Sequence, residues 1–252
     1  MEALARRTLQ GEILLLLGVS LGQNGVFALL QFIRAETDPK PLNQQTQTLV
    51  QSAAPGRPWL DLAFQLALVG FGVVPALLAL HLLRRDHHAP ATLLGLRPPR
   101  PGFDLASGAG LAALIGIPGL GLYLAARSAG MSVTVVPAAL PDVWWSVPVL
   151  VLTAVQNAVL EEVVVVGYLV TRLRQLGWTA PAAVLVSAVL RGSYHLYQGP
   201  GAFFGNLAMG IVFAVFYLWW KRVGPLIMAH AILDVISFVG YALFARQLAF
   251  LH

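Results

Sequence analysis

The sequence predicts an all-α protein, a polytopic bundle of about seven transmembrane helices, and three observations predict it. Hydrophobic residues make up 58% of the chain and charged residues only 11%, less than half of the roughly 25% charge of a soluble domain. Windows of about 20 apolar residues, the length needed to cross a hydrocarbon core, recur from end to end. The basic residues cluster at alternate ends of these windows, as they do in membrane proteins that keep positive charge on the cytoplasmic side. The whole chain, 1–252, reads as a single membrane-embedded domain.

The expected spans lie near 11–33, 60–83, 104–126, 142–171, 184–203, 204–220 and 224–244. The first follows Arg6 and Arg7 and runs well past the length of a signal-peptide core, with no small-residue cleavage site, so it reads as a helix that stays. The segment 34–59 is polar and rich in Gln and Pro, and is expected to be a mobile external loop. The second span ends at Arg84 and Arg85, and a cytoplasmic linker, 84–103, carries Arg97 and Arg100. His87 and His88 in that linker read as solvated side chains. The third span leads to a short external stretch. The fourth begins after Trp144 and Trp145, which mark the outer interface, and ends at Arg172 and Arg174. The fifth and sixth are separated only by "QGPGAFFGN", where Gly and Pro call for a tight turn or a broken helix. Trp219 and Trp220 mark the inner interface, Lys221 and Arg222 follow, and the seventh span leaves the C-terminus external with the N-terminus cytoplasmic.

The charge of +5 is accounted for by this topology, and no basic patch interleaved with aromatics suggests a nucleic-acid partner. The chain has no cysteine, which excludes disulfides, thiolate metal sites and a cysteine nucleophile. The expected partners are membrane lipid and a membrane-associated or lipidated peptide or protein substrate.

Ionisable residues inside apolar spans are costly and mark function by default. Here they are Glu161 and Glu162 in the fourth span, Arg191 and His195 in the fifth, and His230 and Asp234 in the seventh. Asn157 stands one helical turn before Glu161. A hairpin turning near Trp178 puts Glu161 and His195 at equal depth, since each lies seventeen residues from it. At 1.5 Å per residue Glu161 lies ~16 Å from Arg172, near the middle of a ~30 Å core, while His230 and Asp234 lie ~12 and ~18 Å from Arg222. These groups are expected to surround one mid-membrane cavity reached from the cytoplasmic side. Interhelical pairing alone could explain one such pair as structural glue; it does not explain a second carboxylate and two histidines at the same depth.

A carboxylate beside an imidazole can activate a water held between them, and a second histidine with a polar neighbour can hold an oxyanion. Together they would hydrolyse an acyl bond with no covalent intermediate. A serine mechanism fits less well, because neither Ser187 nor Ser193 lies in a nucleophile elbow. A zinc site of Glu161, His195 and His230 is the alternative to a cofactor-free reaction, although no H-E-x-x-H is present. A non-catalytic membrane scaffold and a proton-coupled transporter are the other functional classes, the latter without the internal repeat such proteins show.

"EEVVVVGYL" (161–169), "SAVLRGSYH" (187–195) and "HAILD" (230–234) resemble, in order and spacing, the three motifs of the CPBP family, the CAAX proteases and bacteriocin-processing enzymes also called Abi. The resemblance covers about residues 142–245; residues 1–141 match only as generic membrane helices. It implies a CAAX-protease-like catalytic core and an intramembrane endopeptidase. By position, Glu161 and His195 would activate water, His230 and Asp234 would bind the oxyanion, and Glu162 would support them. Three positions depart from the family's pattern. Val166 stands where an arginine is usual, Arg191 where an aromatic is usual, and Asp234 where asparagine is common. The first two suggest an exchange, in which Arg191 supplies from the next helix the cation missing at Val166. An Arg191–Glu162 contact is therefore expected, with Glu161 left free as the base.

Overall fold

A computed structural model describes residues 3–244. Two helices, α1 (Ala3–Gly18) and α2 (Leu21–Glu36), open the chain with a bend of 50° between them. The bend falls at Ser20, whose hydroxyl donates to the Leu16 carbonyl at 2.5 Å, a local bond that competes with helix propagation. Next come β1 (Thr46–Gln51), α3 (Pro58–Gly72), α4 (Val74–Arg84), the short α5 (Pro90–Leu93), α6 (Pro101–Ser128) and β2 (Thr134–Ala139). Then α7 (Ser146–Glu161), a π-helical stretch (Glu162–Tyr168) and α8 (Leu169–Gln175) form one uninterrupted rod of 30 residues. Finally α9 (Ala180–Ser193), α10 (Pro200–Trp220) and α11 (Gly224–Phe244) complete the bundle.

Among the described residues, five helices are long and apolar enough to cross a membrane, and six if the bent α1–α2 pair counts as one span. The expected fifth span, 184–203, is not one of them. Its helix begins at Ala180 and stops at Ser193, 14 residues long, or ~21 Å, short of a ~30 Å core. The stop is chemical. Gly199 adopts φ +106, a conformation that side chains disfavour, and Pro200 then starts α10 where no N–H is needed. The interval 194–199 becomes a turn inside the bundle.

The segment 34–59 also differs from expectation. It is not a free loop: β1 pairs in parallel with β2, from Thr46 opposite Thr134 to Gln51 opposite Ala139. Gln45 ties the start of β1 to the carbonyls of Ala35 and Lys40 (2.8 and 2.7 Å). Buried Asp61 and Gln65 of α3 hold its end through Ala53 N (2.9 Å) and Gln51 O (3.0 Å). The two ends of the bundle are thus unlike. One carries the small sheet; the other carries Arg85, Arg172 and Arg222, the last paired with Asp104 at 2.9 Å. The expected external C-terminus, and residue 245 at the end of the expected core, lie outside the described residues.

The π stretch sits in the middle of the core. Four consecutive valines, Val163–Val166, are poor helix formers because each loses rotamer freedom against the preceding turn. All four are buried, so packing holds them in the wider turn. The Val165 carbonyl accepts a 2.8 Å bond from Ser187 on α9. Short stretches of this kind occur often at functional sites. This one begins at Glu162.

Candidate active site

Glu161 closes α7 and Glu162 opens the π stretch, with relative exposures of 8% and 0%. Buried carboxylates need charged or hydrogen-bonded partners, and both have them. Glu162 Oε1 accepts from Arg191 Nη2 at 2.6 Å and from His230 Nδ1 at 2.8 Å. The Arg191–Glu162 contact expected from the sequence is present, between two fully buried side chains. Small residues let α9 and α10 come close enough to enclose it: a Cβ on Gly210 would lie 2.8 Å from Ala188 Cα and 3.3 Å from Arg191 Cδ. The guanidinium also lies over the Phe213 ring, 5.4 Å from its centroid, a favourable cation–π placement.

Glu161 is not left free. Its Oε2 accepts from the Tyr194 hydroxyl at 2.6 Å and lies 3.4 Å from Arg191 Nη1. His195 Nε2 is 3.9 Å from the same oxygen, beyond direct hydrogen bonding and at a separation where a bridging water is the usual connection. Sequence reasoning missed Tyr194. Consecutive residues on a helix face apart, so a tyrosine next to a catalytic histidine drew no notice. Because α9 ends at Ser193, Tyr194 and His195 sit in the turn, and both reach Glu161. For the same reason Arg191 and His195, four residues apart, do not share one regular helix face; they meet at Glu161 instead.

On α11, His230 turns Nδ1 to Glu162, and its Nε2 lies 3.7 Å from Asp234 Oδ1. A carboxylate paired with a guanidinium only accepts, so Nδ1 carries the hydrogen. Glu162, expected as a supporting carboxylate, therefore holds the His230 ring through its Nδ1–H. Asp234 is instead approached by Asn157 Nδ2 at 3.4 Å. Four atoms at the centre, Glu162 Oε2, Arg191 Nε, Arg191 Nη1 and His195 Nε2, are buried without a hydrogen-bond partner. Polar capacity is left over where the four helices meet.

Of these groups, Asn157, Glu161, Tyr194, His195, His230 and Asp234 line a cavity of about 580 Å³. Glu161, Tyr194, His195, His230 and Asp234 stand in one part of it, and Gln47, Thr48, Leu49 and Val50 of β1 in another. No residue of α4, α5 or α8 lines it. The expected access from the arginine-rich end is not found, because Leu83, Leu94, Leu169, Val170 and Val223 pack that end solid. The cavity extends toward the sheet.

Glu161, Glu162 and His230 bring ligand atoms within 4.8 Å of one another. This is not the expected zinc set, since His195 is replaced by Glu162. The set also suits a cation poorly, because the Arg191 guanidinium already stands between the two carboxylates and would repel a second positive charge.

Comparison with known proteins bears on the C-terminal part. Residues 143–236 match the family model of the type II CAAX prenyl endopeptidase Rce1-like proteins. The match contains all three motifs, so the resemblance read from them holds: this part of an integral membrane protein is similar to the model of a protease family. Searches of curated proteins and of solved structures found no match.

Proposed function

We propose that the chain is an intramembrane endopeptidase that hydrolyses a peptide bond with water activated by Glu161 and His195. The observation that carries this reading is the 3.9 Å separation of Glu161 Oε2 and His195 Nε2 on the wall of a cavity. A water bridging them would lose its proton to Glu161 as it attacks the substrate carbonyl. The oxyanion would face His230 Nε2, which donates when the ring carries both protons, with Asp234 beside it. Collapse of the intermediate breaks the C–N bond, and the proton held by Glu161 passes to the leaving amine. Tyr194 and Arg191 fix the position of Glu161, and Arg191 with Glu162 fixes His230. The reaction is written without a metal because Arg191 already neutralises the carboxylates a cation would need.

With the arginine-rich end cytoplasmic, as the charge rule favours, the cavity faces the opposite side. The substrate is then a membrane-associated peptide, lipidated or not, that approaches from the sheet face. A peptidase assay of the purified protein on a membrane-peptide library, with Glu161→Gln as control, tests the proposal; cleavage that persists in the variant would overturn it. One observation favours a non-catalytic scaffold instead: Glu161 is already engaged by Tyr194 and Arg191. A folded wild-type protein that cleaves no library member would support that alternative.

A further inference from the structure

We infer that the free edge of β1 is a docking strand, on which an extended peptide segment adds by backbone pairing and is led into the cavity. The inference rests on the peptidase reading and names how the substrate is held. In the parallel ladder, Thr134 N donates to Gln45 O, so with Thr46 opposite Thr134 residues 45, 47, 49 and 51 turn their backbone groups toward β2. Thr46, Thr48 and Val50 turn theirs away. A parallel strand alternates in this manner along its whole length.

The two outer edges of the sheet are treated differently. On β2 the outward N–H of Val135 is taken by the Tyr123 hydroxyl at 3.1 Å, Pro137 has no N–H to offer, and α11 packs alongside. Proline and cover of this sort blunt a sheet edge against further pairing. On β1 the sequence "TQTLVQ" has no proline and no charge, and its residues 47–50 line the same cavity as Glu161 and His195. Its outward Thr48 carbonyl accepts only a long 3.4 Å bond from the Gln47 side chain, which a docking strand would displace. An unprotected edge that borders a catalytic cavity is the arrangement by which extended peptides are captured through main-chain hydrogen bonds. The anchoring of β1 by Gln45 at one end and by Asp61 and Gln65 at the other keeps that edge in place before anything binds. The occupant this chemistry selects is an extended, uncharged peptide stretch with N–H groups at alternate residues; its side chains matter less than its backbone.

The test separates docking from cleavage. The full-length Glu161→Gln protein in detergent is incubated with a pooled random hexapeptide library, and retained peptides are identified by mass spectrometry. The most strongly retained peptide is then made in two forms, with backbone N-methyl groups on odd or on even residues. Pairing with one edge requires that one form lose at least tenfold in affinity while the other changes less than threefold. Thr48→Pro, which removes an outward N–H but none of the β2 ladder donors, should weaken the unmodified peptide by at least tenfold, with Thr48→Ala unchanged. Equal effects of the two methylation patterns, full affinity in Thr48→Pro, or no retained peptide at all would overturn the inference. Whether the wild-type protein cuts the retained peptide is scored separately: retention with alternation but no cleavage upholds the docking edge and overturns the peptidase reading.

Discussion

Among the described residues two arginines, Arg172 and Arg191, lie fully buried, and each stands between two carboxylates. Arg172 meets Glu12 and Asp86 at the arginine-rich end, and Arg191 meets Glu161 and Glu162 in the middle. Each guanidinium lies 5.4 Å from the centroid of an aromatic ring, Tyr168 in one case and Phe213 in the other. The ingredients match, and the surroundings decide what they do. Arg172 uses both terminal nitrogens, adding Gln175 Oε1 at 2.8 Å and the Leu82 carbonyl at 2.7 Å, while Arg85 closes on Glu12. That network joins α1, α4 and α8, and the cavity stops short of it. Arg191 leaves Nη1 without a hydrogen bond, and its carboxylates also serve Tyr194, His195 and His230 beside the cavity. A buried ion pair whose terminal donors are all used is a fastening; one with an unused terminal donor, imidazoles and a cavity is a place for a reaction.

The sharpest way to separate the two centres is to remove one carboxylate charge from each. Glu161→Gln is expected to lower peptidase activity by about 10²- to 10⁴-fold, the range of general-base contributions, with little change in thermal stability. Glu12→Gln should do the reverse, lowering stability while the folded fraction keeps its turnover. Comparable losses of activity in both variants would erase the distinction.

Next in size is the removal of each guanidinium. Breaking a buried pair by deleting one partner costs about 3–5 kcal/mol, and Arg172→Ala and Arg191→Ala should both approach it in denaturation measured in detergent. Only the central one has a rescue. Val166→Arg with Arg191→Phe returns the cation to the helix of the glutamates and should recover much of the loss. No recovery would show that Val166 and Arg191 are not exchanged positions.

A smaller effect is expected at Tyr194. A hydrogen bond to a charged group contributes about 1.5–3 kcal/mol, so Tyr194→Phe should lower kcat by roughly tenfold with KM nearly unchanged. A change confined to KM would place Tyr194 in substrate contact. The smallest effect is expected from chelation: EDTA or phenanthroline should leave activity intact. Inactivation reversed by stoichiometric zinc would return the two carboxylates and His230 to the role of ligands.

The central layer was legible because depth in a membrane follows from counting. Equal distances from Trp178 brought Glu161 and His195 together, and the cation missing at Val166 pointed to Arg191. What counting could not supply was direction. The turn at Tyr194 changes which neighbouring residues face inward, and no periodicity announces it. The sheet escaped notice for a different reason. Its strands are six residues each and lie more than eighty residues apart, and "TQTLVQ" reads as a polar loop unless its alternating β-branched residues are given weight. Missing the sheet also reversed the expected access, since β1 is what borders the cavity opposite the arginine-rich end.

The wide turn after Glu162 has a consequence for how the chain tolerates change in length. An i→i+5 turn holds one more residue than an ordinary α-turn, so the rod from Ser146 to Gln175 stores a surplus residue among its valines. Deleting one of Val163–Val166 lets the helix contract to normal pitch at that point, and the flanks keep their facing: the glutamates still address Arg191, and Arg172 still addresses Glu12 and Asp86. Deleting Ala154, in regular helix, has no such slack to absorb it and turns everything on one side by ~100°, the angle set by 3.6 residues per turn. A fully buried helical stretch is thus able to survive a single-codon loss that a regular helix could not.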